Sequence, residues 1–280
     1  MNRTTWPLFL CALAISLAMA GLSHGALLAY EGFDYPNDGP ELGGRDGGFG
    51  WAGAWNEGNA IDFNFLTQDD TSLDSAAFPF TPIGDHVAGN GGGILRQFNG
   101  GIDMATEGSV LYVSLLIRKN SGGGTTANNV EFSLGSQTNS TLVRAGSTTN
   151  DRWFLNLNTV AVNSDAPFRL DENYFAVLKL VSRATPNHEE AYLAIFGEGD
   201  TVPLAEPLNS DDWDLSVVRN INASFIDTFR LAIGANATGG FDEIRIGQTW
   251  ADVTRVPEPA TWGLGIAGLV AIWGLHRRPR

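Results

Sequence analysis

The stretch "SVLYVSLLIRK", residues 109–119, is the clearest indication of the fold class, because apolar side chains recur at every second position along it. Successive side chains of an extended strand point to opposite faces, so these apolar residues would share one face. The stretch therefore predicts a β-strand that turns this face toward a core. The residues of the face are Leu111, Val113, Leu115 and Ile117.

The same alternation continues along the chain. "VEFSLG" (130–135) and "RWFLNL" (152–157) repeat it, and "NYFAVLKLVSR" (173–183) is apolar on both faces apart from Lys179, which favours a central strand. Polar runs rich in glycine, such as "GANATGG" (234–240), separate these stretches and read as turns. No convincing amphipathic helix occurs between residues 30 and 250. The pattern predicts an all-β protein, an antiparallel β-sandwich in one domain over residues 26–255.

Charge and cysteine content exclude several functions. The chain has 17 basic and 31 acidic residues and a formal net charge of −14, which argues against nucleic-acid binding. Its single cysteine, Cys11, lies in the apolar N-terminal run. A domain that begins after this run can form no disulfide, no thiolate metal site and no cysteine nucleophile.

The N-terminus has the order of a secretory signal peptide. Arg3 precedes an apolar run, residues 6–20, and the small residues Ser23 and Gly25 stand at the −3 and −1 positions of a cut after Gly25. Residues 1–25 are therefore predicted to be removed by signal peptidase. An uncleaved anchor helix is the alternative, although the run is shorter than the ~20 residues that a span needs.

The C-terminus, residues 256–280, combines a Pro-Glu-Pro triplet, an apolar run and an arginine cluster. Proline excludes a regular helix through the triplet, so a helix would begin after it and reach about 24 Å over residues 260–275. This predicts a single transmembrane helix held by arginines on the cytoplasmic side. A plain C-terminal anchor is the alternative. The arginines are Arg277, Arg278 and Arg280.

This ending resembles the PEP-CTERM sorting tail of exported bacterial proteins, on the residues Val256, Pro257, Glu258 and Pro259, the apolar run and the basic end. The resemblance implies recognition by an exosortase-type membrane protease that removes the helix. It also implies an inner-membrane-anchored precursor that is delivered to the envelope, the outer surface or the extracellular matrix of a Gram-negative-type bacterium. Such bacteria often make extracellular polysaccharide.

Two further stretches resemble known families. "GGFDEIRIGQTWADV" (239–253) resembles the last strand of concanavalin A-like and laminin G-like jelly rolls. "LLAYEGFDYPNDGPELGGRDGGFGWAGAW" (27–55) resembles the N-terminus of exported planctomycete and verrucomicrobial proteins with PEP-CTERM tails. The resemblance implies a two-sheet sandwich whose first and last strands pair. It implies carbohydrate or protein binding and does not imply catalysis.

No catalytic residues are predicted. The Glu-x-Asp-x-x-Glu pattern of jelly-roll glucanases is absent, and the adjacent Glu189 and Glu190 would face opposite sides of a strand. There is no Gly-x-Ser-x-Gly elbow. His86 and His188 stand in Gly- or Pro-flanked segments and are interpreted as exposed loop histidines, and Asp211, Asp212 and Asp214 are also assigned to a loop.

Two kinds of binding residue are candidates. Carboxylates in "QDDTSLDS" (68–75) and near the last strand could bind calcium through hard oxygen ligands. Solvated loops are the alternative, and the last of these carboxylates could instead accept backbone N–H groups. Exposed tryptophans could stack on sugar rings, with core packing as the alternative. The carboxylates are Asp69, Asp70, Asp74 and Asp242, and the tryptophans are Trp51, Trp55 and Trp213.

The sequence therefore predicts an exported, non-catalytic protein that binds glycans such as extracellular polysaccharide, with calcium as the candidate cofactor. Two alternatives stay open. One is a divergent glycoside hydrolase on a jelly-roll fold, and the other is a purely structural surface protein.

Overall fold

The computed structural model describes residues 27–35, 41–56, 66–68, 72–73, 78, 80–122, 128–136, 139–183, 188–220 and 225–255. The predicted signal peptide and the predicted sorting tail lie outside the described residues, as do Asp69, Asp70 and Asp74. Within the described part of the chain, no helix is both long and apolar enough to cross a membrane.

The described chain is an all-β, antiparallel structure, as the sequence predicts. One short helix, α1 (Trp250–Thr254), and one 3₁₀ turn (Ser210–Asp212) accompany the strands in the described ranges. The strands are β1 (Ala29–Glu31), β2 (Leu66–Gln68), β3 (His86–Asp103), β4 (Val110–Gly122), β5 (Val130–Ser136), β6 (Asn139–Ser147), β7 (Arg152–Leu157), β8 (Val160–Pro167), β9 (Asn173–Val181), β10 (His188–Phe196), β11 (Leu215–Asn220) and β12 (Phe225–Gly247).

The long strand β12 belongs to two layers. Its first half pairs with β5, and the order continues through β6 and β7 to β8. Its second half pairs with β4, and the order continues through β9 and β10 to β11. Strand β11 lies against β7 and β8, so the sheet folds back on itself around one core. The architecture is the predicted β-sandwich.

A bulge marks the change of layer in β12. Ile233 pairs with Gly92 and Thr238 pairs with Asn90, so residues 234–237 lie opposite the single residue Gly91. Extra residues in one strand bend it and increase its twist. The prediction that "GANATGG" is a turn is therefore wrong, because this glycine-rich segment is the bend of one continuous strand.

The main core lies between the layers and confirms the predicted faces. The four apolar residues of the opening stretch are all fully buried in it. Trp153, Leu155 and Leu157 of β7 also point into this core, and β9 is central, between β4 and β10.

A second apolar cluster covers the other face of β4 and β9. Leu116 and Phe175 contribute from these strands, Trp213 from the segment before β11, and Trp250 from α1. Both faces of β4 are therefore buried over residues 111–117, which the alternation alone did not predict. The covering segments and α1 complete this layer.

The first and last strands pair, as the resemblance implied. Strand β1 is antiparallel to the end of β12, with Ala29 opposite Ile246 and Glu31 opposite Ile244. Both isoleucines point into the core.

Candidate functional site

Two acidic residues of β12 stand at a second bulge. Asp242 pairs with Leu116 and Arg245 pairs with Ser114, so β12 has one residue more than β4 between these pairs. Glu243 adopts a left-handed backbone conformation with φ 52°. The extra residue places both carboxylates on the outer side of the layer and returns Ile244 to the core.

These carboxylates hold the segment that covers the layer. Asp242 Oδ2 accepts the backbone N–H of Leu73 at 3.0 Å. Glu243 Oε1 accepts the N–H of Ile83 at 2.7 Å and the hydroxyl of Tyr30 at 3.0 Å, and its Oε2 accepts two bonds from Arg245. The alternative proposed for Asp242, an acceptor of backbone N–H groups, is thus what its contacts show.

Burial is the largest influence on the pKa of Asp242, the first acidic residue of this bulge. Asp242 is fully buried, and this burial raises the pKa of its carboxyl well above the usual value. Neighbouring Glu243 raises the pKa further, and the two backbone donors lower it. Both oxygens of Asp242 accept backbone hydrogen bonds, since Oδ1 takes the N–H of Glu243 at 2.7 Å. Among the described residues, no group of three or more His, Cys, Asp or Glu side chains could hold a metal ion, and calcium binding stays a prediction.

An open cleft of about 620 Å³ lies beside this motif on the outer side of β3, β4 and β12. Gly240 keeps it open, since a Cβ at this position would lie 3.1 Å from His86 Cδ2 and 3.7 Å from Leu73 Cδ1. A larger residue at this position would fill the cleft. The lining residues that carry side-chain hydrogen-bonding groups are His86, Asn90, Arg118, Asn120 and Thr238.

The lining has the chemistry of a hydroxyl-binding surface. Amide, hydroxyl, imidazole and guanidinium groups supply both donors and acceptors. Arg118 lies 3.6 Å from the exposed Asp171, and Thr238 Oγ1 lies 2.6 Å from Ser121 Oγ. The described lining contains no carboxylate, so it offers no pair of carboxyl groups for acid–base hydrolysis.

The histidines correct one prediction. His86 is the first residue of β3, half-buried, and lines the cleft, whereas the sequence predicts an exposed loop residue. His188 is likewise the first residue of β10 rather than part of a loop. The glycines at 89 and 91–93 concealed β3, because they lower strand propensity and interrupt the apolar alternation.

Trp51 and Trp55 pack in the core, so the structure shows the packing alternative for both rings. Trp51 stacks on Phe98 with ring centroids 5.2 Å apart. The Arg96 guanidinium carbon lies 5.1 Å from the Trp51 ring centroid and 5.7 Å from that of Trp55. The two rings therefore hold a buried cation through cation–π contacts and offer no free face to a sugar.

Trp213, the predicted exposed ring, is also buried. It meets Trp250 edge-on at 5.8 Å and lies 5.5 Å from Tyr192. Lys179 Nζ lies 5.8 Å from the Trp213 ring centroid and 3.1 Å from Glu206. The ring anchors the segment that precedes β11. This packing role accounts for a tryptophan beside Asp211, Asp212 and Asp214, and no sugar ligand is needed to explain it.

The other acidic candidates are separated. Glu189 is buried, whereas Glu190 lies on the opposite side and pairs with Arg183 at 2.8 Å, which lowers the pKa of its carboxyl. Asp211 lies in the 3₁₀ turn rather than in an irregular loop. Asp214 accepts the N–H of Ile195 at 2.8 Å, and burial raises the pKa of its carboxyl.

Comparisons with known proteins give distant structural likenesses. No family model matches the chain, and no curated protein matches it. The chain is similar to lectin I from Ulex europaeus in complex with a methyl glycoside of α-L-fucose, at 12% identity over 70% of this chain and 91% of the lectin, with a TM-score of 0.36.

It is also similar to the cellulose-induced protein Cip1, at 14% identity over 75% of this chain and 94% of that protein, with a TM-score of 0.43. A third likeness is to the catalytic domain of a glycoside hydrolase family 131 protein from Coprinopsis cinerea. Its identity is 10% over 75% of this chain and 90% of that domain, with a TM-score of 0.42. At these values the likenesses assign no activity.

Proposed function

We propose that this protein is an exported, non-catalytic glycan-binding protein on a concanavalin A-like jelly-roll sandwich, and that the cleft on β3, β4 and β12 is its binding surface. The observation that carries the proposal is the lining of that cleft, which supplies amide, hydroxyl and imidazole groups beside the Arg118 guanidinium and, in its described part, no carboxylate. Such groups match the hydroxyls of a saccharide.

The geometry favours weak, reversible binding of a neutral sugar unit. The cleft is open to solvent, so a polymer chain could lie across it without threading. Asn90 and Asn120 are exposed at the cleft and carry both a donor and an acceptor. Each hydrogen bond to a ligand contributes about 1 kcal/mol net, so affinity would come from repeated contacts along a polymer.

Replacing both Asn90 and Asn120 with alanine should weaken binding of a neutral oligosaccharide about thirtyfold, since two hydrogen bonds of about 1 kcal/mol each are lost. A glycan array identifies the saccharide, and calorimetric titration with and without calcium measures its affinity. Asn99→Ala is the matched control, because Asn99 is exposed on the same strand, β3, away from the cleft residues. This control should bind like the unmodified protein.

Three results would contradict the proposal. Equal losses in the control and the cleft variant would place binding elsewhere. Release of reducing ends from a polysaccharide panel, abolished by a single carboxylate substitution, would make the protein a divergent glycoside hydrolase. An array without any binding would leave a purely structural surface protein.

The proposal includes delivery by the two ends of the chain. Signal peptidase would cut after Gly25, and an exosortase-type protease would remove the apolar helix after the Pro-Glu-Pro triplet. The contacts of Arg255, two residues before this triplet, support a domain that extends to it. Arg255 Nη2 donates to Leu204 O at 2.6 Å, and Arg255 O accepts a bond from Arg245 at 2.9 Å.

Intact-mass measurement of the protein from the producing cells should show a chain that starts near Ala26 and lacks residues 260–275. Replacing Arg277, Arg278 and Arg280 with serine should leave unprocessed precursor, because these charges fix the orientation of the helix. A surface protein that retains Met1 would refute the signal peptide. One that retains the full tail would leave a simple anchor.

A further inference from the structure

Four polar residues form a row across the outer face of the other layer, the one built from β12, β5, β6 and β7. The register places Arg230 of β12 opposite Ser133 of β5, Ser133 opposite Arg144 of β6, and Arg144 opposite Asn156 of β7. Adjacent strands lie about 4.8 Å apart, so the two arginine backbones are about 10 Å apart. We call this set the arginine row.

The arginine row carries an excess of positive charge. Arg144 donates to the buried Glu131 through Nη2 at 2.5 Å and Nε at 3.2 Å, and Arg230 Nη1 lies 3.6 Å from the same carboxylate. Asn129 Nδ2 donates to it as well, at 2.8 Å. In the described part of the chain, these ion pairs join two guanidinium groups to one carboxylate. A surplus cation is notable in a chain of net charge −14.

Packing holds both guanidinium groups in place. Arg230 lies over Gly93 of β3, where any Cβ would collide with its guanidinium. Arg144 lies 5.6 Å from the ring centroid of Phe154. The two side chains nevertheless keep 26% and 35% of their surface accessible, so a ligand could reach them. Burial, together with Arg144, lowers the pKa of Arg230, although a guanidinium stays charged at neutral pH.

We propose that the arginine row binds the oxyanion groups of an acidic polysaccharide, its carboxylates or sulfates. Planar guanidinium groups bind such oxyanions through paired, charge-assisted hydrogen bonds. A partly desolvated guanidinium with incomplete pairing gains more from a new anion than a fully hydrated one. The ligand differs from that of the cleft, and the two surfaces lie on different layers, so this inference does not depend on the proposed cleft function.

The test is titration of the full-length protein with polygalacturonate, with dextran sulfate and with uncharged dextran. Arg230→Gln should weaken binding of an acidic polymer at least tenfold and reduce its salt dependence, because a charge-assisted contact to a carboxylate or sulfate is lost. Arg152→Gln is the matched control, since Arg152 is an exposed arginine of β7 that pairs with the exposed Asp165. The control should retain the affinity of the unmodified protein.

Glu131→Gln distinguishes binding from a structural role. Removing the internal carboxylate frees both guanidinium groups, so affinity for the acidic polymer should rise even though stability falls. A circular dichroism spectrum identifies variants that remain folded, and Arg230→Gln decides the matter if Glu131→Gln does not fold. Preference for one acidic polymer would name the oxyanion.

Several outcomes would overturn the inference. These are no binding of either acidic polymer, equal losses in Arg152→Gln and Arg230→Gln, and equal affinity for double-stranded DNA, which would indicate unspecific attraction to polyanions. By contrast, loss of acidic-polymer binding in Arg230→Gln with neutral-glycan binding intact would support the inference that the arginine row is the acidic-polymer site.

Discussion

Replacing Arg96 with methionine should lower the free energy of unfolding by about 3–5 kcal/mol at neutral pH, the usual loss when one partner of a buried ion pair is removed. Arg96 and Glu31 are both about 1% exposed and form an ion pair inside the main core. Glu31 also accepts the Tyr35 hydroxyl at 2.7 Å and the Trp55 N–H at 3.3 Å. Without Arg96 this carboxylate keeps its neutral donors but loses its counter-charge.

The stability loss caused by Arg96→Met should be smaller at acidic pH than at neutral pH. Burial raises the pKa of Glu31 above its usual value, and Arg96 acts in the opposite direction. Removing Arg96 therefore raises the pKa of Glu31 further in the folded variant. A carboxyl with a raised folded-state pKa binds more protons when folded than when unfolded, so stability falls as pH rises. The variant should thus approach the unmodified protein below about pH 4.5, where Glu31 is protonated in both states.

Urea unfolding followed by tryptophan fluorescence measures both effects. Adding Glu31→Gln to Arg96→Met should restore part of the stability at neutral pH, because the unpaired charge is gone. A single variant that loses less than about 1 kcal/mol, or a loss that does not depend on pH, would show that Glu31 is not held as a charged group.

The ion pair between Arg96 and Glu31 could not be predicted from the sequence, although the strands could. The strands were predictable because a core face repeats every second residue, as in Leu111 to Ile117. Glu31 and Arg96 are 65 positions apart, and no local pattern joins them. Core packing of Trp51 and Trp55 is one of the alternatives that the sequence leaves open, but their common contact, the buried Arg96, depends on that distant pairing.

The cleft was missed for a related reason. Its floor is rich in glycine, which removes the alternation that identifies strands, so the pattern does not identify β3 and the bend of β12 reads as a turn. The arginine row follows from register alone, since Arg230, Ser133, Arg144 and Asn156 are neighbours only across four paired strands. The alternation of apolar residues predicts which face of a strand a side chain occupies, whereas the pairing register between strands determines which residues are its neighbours.

Glu243→Ala should also lower the free energy of unfolding by about 3–5 kcal/mol, as the loss of Arg96 does. Glu243 is fully buried and accepts hydrogen bonds from several donors. The substitution leaves the Tyr30 hydroxyl, the Ile83 N–H and the buried Arg245 without their carboxylate. Thermal and urea unfolding measure the loss. Glu107→Ala, at an exposed turn, is the matched control and should change stability by less than about 0.5 kcal/mol.

A glycine at the same position separates the side chain from the backbone. Glu243 has φ 52°, a conformation that glycine adopts without strain, so Glu243→Gly should be about 1 kcal/mol more stable than Glu243→Ala. Equal stability of the two variants would mean that the bulge rearranges when the carboxylate is lost. A glycine variant as stable as the unmodified protein would mean that the carboxylate contributes nothing.

The same variant connects the fold to the proposed function. Glu243 holds Ile83, and the chain runs from there directly into His86 at the cleft, while Asp242 holds Leu73 on the cleft's other border. Losing the Glu243 contact should therefore weaken saccharide binding in Glu243→Gly at temperatures where that variant is still folded. Titration well below its melting temperature tests this. Unchanged affinity in the folded variant would show that the cleft does not depend on this motif and that the acidic pair serves stability alone.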